Sequence, residues 1–264
     1  MYKEKEVEIS EVWLERIFSL GYDMCLIGGW AVYESVTRNY EEDKGRQYLG
    51  SKDIDVGFHV DPSWNLDQLK DSDYLKFFRY LEENGFSWVG YRFLKGYDYD
   101  TKRELTKEEM SRRPSFEVIE FYVDPIVDSL NPLLQSELLI NPIDEPLLSL
   151  VFKDKSVNKI TLSDHREITV VIPKPEVLLA MKFNSVDDRT KEHKRIKDIM
   201  DIFALIWYSE YEMGDMREKV SCLKGLKDIE KSILRFKEDE LLQASKAIDF
   251  EYEDVKNVFK NFIS

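Results

Sequence analysis

Two aspartates one residue apart, Asp53 and Asp55, follow a pair of glycines, Gly28 and Gly29, that lies between apolar residues. On an extended strand alternate side chains share a face, so this spacing predicts that both carboxylates project from one side while Ile54 enters the other. Two carboxylates held so close repel each other, and a divalent cation between them relieves the repulsion. Oxygen ligands of this kind suit Mg²⁺ or Mn²⁺ better than zinc.

The glycine pair adds a second half to this pattern. Glycines allow close approach of the backbone, and at the start of a helix the free amide groups attract phosphate. Phosphate and magnesium together predict a nucleotide. An isolated Asp-x-Asp is also common on acidic surfaces, and this chain has 52 acidic residues. The position of the aspartates after the glycine turn is therefore what favours a metal site.

The net charge of the chain limits which kinds of partner it is expected to bind. The 264 residues include 38 basic and 52 acidic side chains, a formal net charge of -14, which repels nucleic acid over most of the surface. The dense basic stretch at 189–197 predicts either a local RNA-binding patch or a solvated helix face. No stretch approaches the roughly 20 apolar residues that span a bilayer, and the first residues lack a signal-peptide core. We therefore predict a cytoplasmic protein without membrane contact.

Apolar periodicity predicts an α+β fold. The expected elements are helices at 9–20 (with Ser10 as the cap), 30–36 and 74–83, a loop at 37–50, and strands at 24–27, 53–60, 86–93 and 116–127. After Pro175, which suits the first turn of a helix, the pattern is helical at 176–183, at 196–208 and from 216 onward. The chain is thus predicted to form a mixed sheet flanked by helices over 1–172 and a helical C-terminal subdomain over 173–264.

A third acidic side chain is expected on a later strand. Two-metal phosphoryl transfer usually needs it, because two cations and a polyphosphate must be held in line. The strand at 116–127 offers Glu120 and Asp124, which share one face by parity. Glu120 lies mid-strand, whereas Asp124 precedes Pro125 and is also explained as the start of a turn. We predict Glu120 as the third ligand and keep Asp124 as the alternative.

The order of these residues resembles the nucleotidyltransferase superfamily of the DNA polymerase beta type. The resemblance is carried by Gly28-Gly29, by Arg46 with Ser51-Lys52-Asp53-Ile54-Asp55, and by the acidic residue of the later strand. Further residues resemble the AbiEii-like branch, which contains toxin-type nucleotidyltransferases: Pro173 to Phe183, followed by Arg189, Arg195, Lys197-Asp198 and Asp201. The similar region runs from residue 9 to residue 207.

The resemblance implies a nucleotidyltransferase-type mixed sheet with its catalytic domain at 1–172, and it implies a role for each matching residue. Asp53 and Asp55 would ligate magnesium, and Glu120 or Asp124 would complete the ligand set and act as a general base. The NTP would contact Gly28, Gly29, Arg46, Ser51, Lys52 and Lys182. Asp198 and Asp201 are expected either to orient Lys182 or Arg195, or to form ion pairs on the helix surface.

Two departures from the family pattern lie after the glycine turn. Trp30 follows Gly29 directly, and the 23 residues at positions 30 to 52 exceed the spacing usual for the family. The segment with Arg46 is therefore predicted to be an inserted loop that folds over the site.

The resemblance implies an enzyme that transfers a nucleoside monophosphate from an NTP to a hydroxyl group, with two magnesium ions. The acceptor would be tRNA, a protein or a small molecule, and the acidity of the chain slightly disfavours RNA. The toxin-type relatives imply an antitoxin partner. The alternative is a catalytically inactive nucleotide-binding or protein-interaction module, because a fold does not prove an activity.

Overall fold

The contacts divide the chain into two compact units. A computed structural model describes residues 4–161 and 167–264. Residues 4–30 with the described part of 50–172 form the sheet unit, and residues 31–49 with 173–264 form the helical unit. The assignment of 1–172 and 173–264 to two domains stays a prediction, and the contacts group residues 31–49 with the C-terminal helices.

The sheet unit is built on one mixed sheet. Its described strands are β1 (Met24–Ile27), β2 (Ile54–Phe58), β3 (Ser87–Val89), β4 (Arg92–Asp98), β5 (Glu104–Leu105), β6 (Val118–Val127) and β7 (Ile143–Asp144). They run in the order β1-β2-β6-β4-β3, with β5 beside β4 and β7 beside β6. β2 and β6 are parallel, whereas β1 pairs antiparallel with β2 and β4 antiparallel with β6. A second, antiparallel pair joins β8 (Ser156–Thr161) to β9 (Glu167–Ile172).

Alternation along the central strands separates an apolar face from a polar one. Ile54 and Val56 of β2, Val123 of β6 and Phe93 of β4 share one face, and all four are fully buried. Burial of such a side chain contributes about 1.5–3 kcal/mol each. This apolar face fixes the register of the sheet, because a slip by one residue would turn it towards the polar side.

Helices flank the sheet. Those of the sheet unit are α1 (Glu4–Phe18), the start of α2 (Gly28–Lys44), α3 (Leu66–Asp71), α4 (Asp73–Glu83), α5 (Lys107–Ser111), α6 (Pro132–Ser136) and α7 (Leu148–Lys153). A short 3₁₀ helix, Ser115–Glu117, precedes β6. The Ser72 hydroxyl caps α4 by accepting a hydrogen bond from the Leu75 amide.

Three of the predicted elements differ from the structure. The first helix begins at Glu4, so Ser10 as its cap is wrong; Ser10 is buried, and its hydroxyl accepts a hydrogen bond from the Trp30 indole at 2.7 Å. The predicted strand at 86–93 is split into β3 and β4, because Gly90 turns the chain with a φ of 69°.

The predicted loop at 37–50 is helical up to Lys44. Tyr40 lies one turn after Val36 and is buried, and its hydroxyl donates a hydrogen bond to the Ile248 carbonyl at 3.0 Å. The helix continues because this buried contact outweighs the polar composition of the segment. The segment with Arg46 is therefore mostly a longer α2 rather than an inserted loop.

The helical unit contains most of α2 and the C-terminal helices. These are α8 (Pro175–Asp188), α9 (Glu192–Tyr208), α10 (Met213–Lys224), α11 (Leu226–Ile233), α12 (Glu238–Ile248) and α13 (Tyr252–Ile263). Phe183, Phe203, Phe259 and Phe262 are buried in its core. A mixed sheet flanked by helices and a helical C-terminal region are confirmed. Across residues 4–161 and 167–264, no helix combines the length and the apolar character that a bilayer span requires.

Candidate active site

The polar side of the sheet gathers three aspartates beside the start of α2. Asp55 is the register partner of Asp124 on the parallel strand β6, and Ile27, which precedes the glycine pair, is its partner on β1. Register partners project from the same face. Asp53 comes two residues before Asp55, at the entrance to β2. We call Asp53, Asp55 and Asp124 the acidic face.

Glu120 is not part of this group. It lies four residues before Asp124 on β6, about 13 Å away along an extended strand, and its register partner is Gly96 of β4. Its carboxylate is exposed and accepts a hydrogen bond from the Tyr122 hydroxyl at 2.7 Å. Pro125 lies inside β6, so Asp124 does not start a turn, and the reason for preferring Glu120 does not hold. The structure brings Asp124 to Asp55 instead.

The glycine pair packs directly against the acidic face. Gly28 is the first residue of α2 with a φ of 67°, and a Cβ atom added to it would lie 1.8 Å from Oδ2 of Asp55. A Cβ added to Gly29 would lie 2.9 Å from Cβ of Ser51. Only glycine therefore fits at either position without displacing a neighbour. The start of a 17-residue helix, the positive end of its dipole, is thus beside a carboxylate of the acidic face.

We expect Gly28→Ala to lower the free energy of unfolding by about 3 kcal/mol or more, because it combines a positive φ with a collision against Asp55. Gly21→Ala is the matched control, since Gly21 has a φ of 70° but an added Cβ meets nothing within 4 Å. The control should lose only about 1–2 kcal/mol. Urea unfolding of both variants measures the difference, and equal losses would show that contact with Asp55 is unimportant.

Arg92 supplies a cation to the acidic face. Its Nε donates to Oδ1 of Asp124 at 2.8 Å, and its Nη2 donates to Oδ2 of Asp124 at 2.5 Å and lies 3.6 Å from Oδ2 of Asp53. The guanidinium also stacks on the Tyr122 ring, 4.1 Å from its centroid. The side chains of Arg92, Asp124 and Asp53 are only 15%, 11% and 17% exposed. Two parallel hydrogen bonds in so sheltered a place fix the guanidinium firmly.

The surroundings hold Arg92 in its charged form. Burial works against the charge, but the hydrogen bonds to Asp124 and the attraction of Asp124 and Asp53 outweigh it, and the pKa of Arg92 is raised. Burial and the hydrogen bond to Glu120 raise the pKa of Tyr122 as well, so this phenol stays neutral. Arg92 thus places one permanent positive charge beside the three aspartates.

The donor set of the acidic face suits magnesium in its chemistry. Carboxylate oxygens are the hard ligands that Mg²⁺ and Mn²⁺ prefer, and Asp53 and Asp55 supply them next to the helix start. Asp124 supplies two more, but both are engaged by Arg92. Over the ranges 4–161 and 167–264, no three acidic, histidine or cysteine side chains are arranged as a ready metal cluster. Asp53 and Asp55 are therefore the ligands that fit best.

Of the other predicted contacts, Ser51 and Lys52 belong to the sheet unit and Arg46 to the helical unit. Ser51 is buried against Gly29, and Lys52 is half-buried one residue before Asp53. Arg46 lies over the Tyr40 ring at 5.5 Å. The unexpected Trp30 is a core residue, and its ring is 3.4 Å from a Cβ added to Gly50.

Lys182 lies in a buried ion cluster of the helical unit. Its Nζ is 2.9 Å from Oδ1 of Asp198 and 2.8 Å from Oδ2 of Asp201, and both acids are buried. Burial opposes the charge of Lys182, but the two acids outweigh it and raise its pKa; Lys182 and Arg189 lower the pKa of Asp198 against its own burial. The acids orient Lys182 rather than form surface ion pairs, whereas Arg195 bonds to Glu240 at 2.8 Å.

The helical unit also contains a cavity of about 790 Å³. Its lining includes Trp207, Tyr208, Phe250 and Tyr252 together with Asp43. None of the residues predicted from the sequence to act on a nucleotide is among the described residues of its lining. The cavity therefore gives no support to the nucleotide site.

Arg92 and Tyr122 are the site residues that sequence reasoning missed. Phe93 is the register partner of Val123 on β6. Arg92, which precedes Phe93, therefore lies opposite Asp124, which follows Val123. Nothing in the local sequence around Arg92 indicates this pairing. Tyr122 was open to prediction, because it shares the parity of Glu120 and Asp124.

Comparisons with known proteins give few matches. No protein-family model matches the chain, and no curated protein matches it. Among solved structures, the chain is similar to an antigenic nucleotidyltransferase-like protein from Paracoccidioides brasiliensis. The two are 18% identical with a TM-score of 0.43, and the match covers 94% of each chain.

Proposed function

We propose that this protein is a magnesium-dependent nucleotidyltransferase, which moves a nucleoside monophosphate from an NTP to a hydroxyl acceptor. One observation carries the proposal: Asp53, Asp55 and Asp124 meet on one side of the sheet, and Asp55 touches Gly28 at the start of α2. Carboxylates that suit a cation and a helix start that suits a phosphate are thus adjacent. These residues follow one another along the chain in the order of the pattern that resembles the family.

Each residue of this group has a role that its position supports. Asp53 and Asp55 would hold the magnesium ion, and the amides at Gly28 and Gly29 would receive a phosphate of the NTP. Asp124 orients Arg92, whose positive charge lies next to Asp53. When bound, magnesium neutralises the triphosphate and makes pyrophosphate a better leaving group.

The reaction balances in one displacement. The acceptor oxygen forms a bond to the α-phosphorus, the bond from that phosphorus to the bridging oxygen of the β-phosphate breaks, and pyrophosphate leaves with the electron pair. The proton of the hydroxyl passes to a carboxylate of the acidic face or to water. The residues of the chain bind and orient, and they form no covalent intermediate.

The acceptor and the biological role rest on the resemblance alone. tRNA, a protein or a small molecule such as an aminoglycoside would each present a hydroxyl group. The net charge of -14 makes RNA the least favoured of them. A toxin role with an antitoxin partner follows only from the AbiEii-like pattern, as does Lys182 as a phosphate contact.

The test is label transfer from NTPs that carry the label in either the α- or the γ-phosphate. With magnesium and acceptor pools of tRNA, cell lysate or aminoglycoside, we expect label from the α-position to be incorporated and label from the γ-position to leave as pyrophosphate. Asp53→Ala/Asp55→Ala should abolish incorporation. Transfer of γ-label would indicate a kinase, and magnesium–NTP binding without any transfer would indicate the inactive binding module.

A further inference from the structure

We infer that Arg92 takes the place of one of the two metal ions expected in such a site, so that the protein binds a single divalent cation, on Asp53 and Asp55. This inference rests on the proposed function and narrows it. It concerns how many cations the site holds, and it replaces the two magnesium ions that the resemblance implies with one.

The oxygens that a second metal ion would need are already occupied. A third carboxylate is expected because a second ion needs ligands, and Asp124 is the only acid in register with Asp55 on β6. Both oxygens of Asp124 accept hydrogen bonds from Arg92, at 2.8 and 2.5 Å. A metal ion that took these oxygens would have to displace a two-pronged guanidinium–carboxylate pair.

The fixed position of Arg92 is the second argument. Its guanidinium is held on one side by Asp124, is 3.6 Å from Asp53, and stacks on Tyr122 at 4.1 Å. Its side chain is 15% exposed, so it does not swing freely into solvent. Tyr122 is itself tied to Glu120 through its hydroxyl. Displacing Arg92 would therefore break several contacts and leave a sheltered charge without a partner.

The charge count is the third argument. Three carboxylates and one guanidinium leave two negative charges on this part of the sheet, which one divalent cation neutralises. A second divalent cation would add two positive charges next to a guanidinium that cannot lose its own. With a single divalent cation, the charges in this part of the sheet therefore sum to zero before the triphosphate binds.

The experiment counts bound Mn²⁺ on the intact chain without nucleotide, from the loss of the electron paramagnetic resonance signal of free Mn²⁺ during titration. We expect one Mn²⁺ per wild-type chain, none in Asp53→Ala/Asp55→Ala, and two in Arg92→Met, which removes the guanidinium from both oxygens of Asp124. Arg103→Met is the matched control, because Arg103 pairs with Glu109 away from the acidic face; it should still bind one. Arg92→Gln carries the same expectation as Arg92→Met if the methionine variant does not fold.

The outcomes separate this inference from the proposed function. Two Mn²⁺ ions on the wild-type chain would overturn the role of Arg92 and leave the transferase proposal intact. A count of one in both the wild type and a folded Arg92 variant would also overturn it. No bound Mn²⁺ on the wild-type chain would overturn the inference, whereas the proposed function is decided separately by the transfer of α-label.

Discussion

Asp124→Asn is expected to slow nucleotidyl transfer about 10²–10³-fold, whereas Glu120→Gln should change the rate less than about threefold. Asp124 lies in register with Asp55 and holds Arg92 through two hydrogen bonds, so its loss leaves the guanidinium misplaced and a sheltered charge unbalanced. Glu120 is exposed on the same strand, and it is linked to the acidic face through the hydrogen bond that it accepts from Tyr122. The rate of α-label transfer from NTP measures both variants.

Far-ultraviolet circular dichroism and urea unfolding must first show that Asp124→Asn is folded at the assay temperature. Arg92→Lys gives an independent check, because lysine keeps the charge but loses the planar fork that matches Asp124. It should fall between the wild type and Asp124→Asn. A large loss in Glu120→Gln with little change in Asp124→Asn would reverse the assignment and restore Glu120 as the third acid.

Lys182→Ala is expected to lower the free energy of unfolding by about 3–5 kcal/mol, because it leaves two buried carboxylates without their shared cation. Asp198 and Asp201 are almost inaccessible to solvent, and each lies within 3 Å of Lys182 Nζ. Arg189 still neutralises part of the charge on Asp198, and Lys197 part of the charge on Asp201. Urea unfolding near pH 7 measures the loss.

Lys256→Ala is the control for removal of a lysine from the same unit. Lys256 is 52% exposed and 3.9 Å from Glu253, so its loss should cost less than about 0.5 kcal/mol. Lys182→Ala/Asp198→Asn should lose less than the sum of its single changes, because the second change removes the charge that the first strands. A loss of about 1 kcal/mol or less in Lys182→Ala would contradict a buried ion cluster.

The effect of Lys182→Ala should also depend on pH. The pKa of Asp198 is lowered in the folded protein, so its ion pairs contribute stability above the ordinary pKa of an aspartate. That contribution is lost as the pH falls through the lowered value. The difference between the wild type and Lys182→Ala should therefore stay constant near neutral pH and shrink only when the pH falls below the ordinary aspartate pKa of 3.8.

The local sequence was sufficient to predict part of the geometry of the candidate site. Asp53 and Asp55 could be assigned to one side of a strand because alternation is a property of the strand itself. The need for glycine at Gly28 could be inferred from a helix start after an apolar run, and the structure gives it a positive φ and contact with Asp55. Pro175 likewise indicated the start of α8 correctly.

The remainder depended on pairing between distant segments. The choice between Glu120 and Asp124 follows from the register of β2 with β6, and the position of Arg92 follows from the register of β4 with β6. No local pattern specifies either register. The length of α2 was missed for a similar reason, since Tyr40 is buried through a contact with Ile248, far along the chain.

The most direct test of a cation-dependent transferase site is α-label transfer measured against magnesium concentration, in the wild type and in Asp53→Ala/Asp55→Ala. We predict that transfer by the wild type rises with magnesium to a plateau, stops when EDTA is added and returns when magnesium is restored. The double variant, shown to be folded, should transfer nothing at any concentration. Transfer that persists in EDTA, or that the folded double variant still performs, would contradict the account.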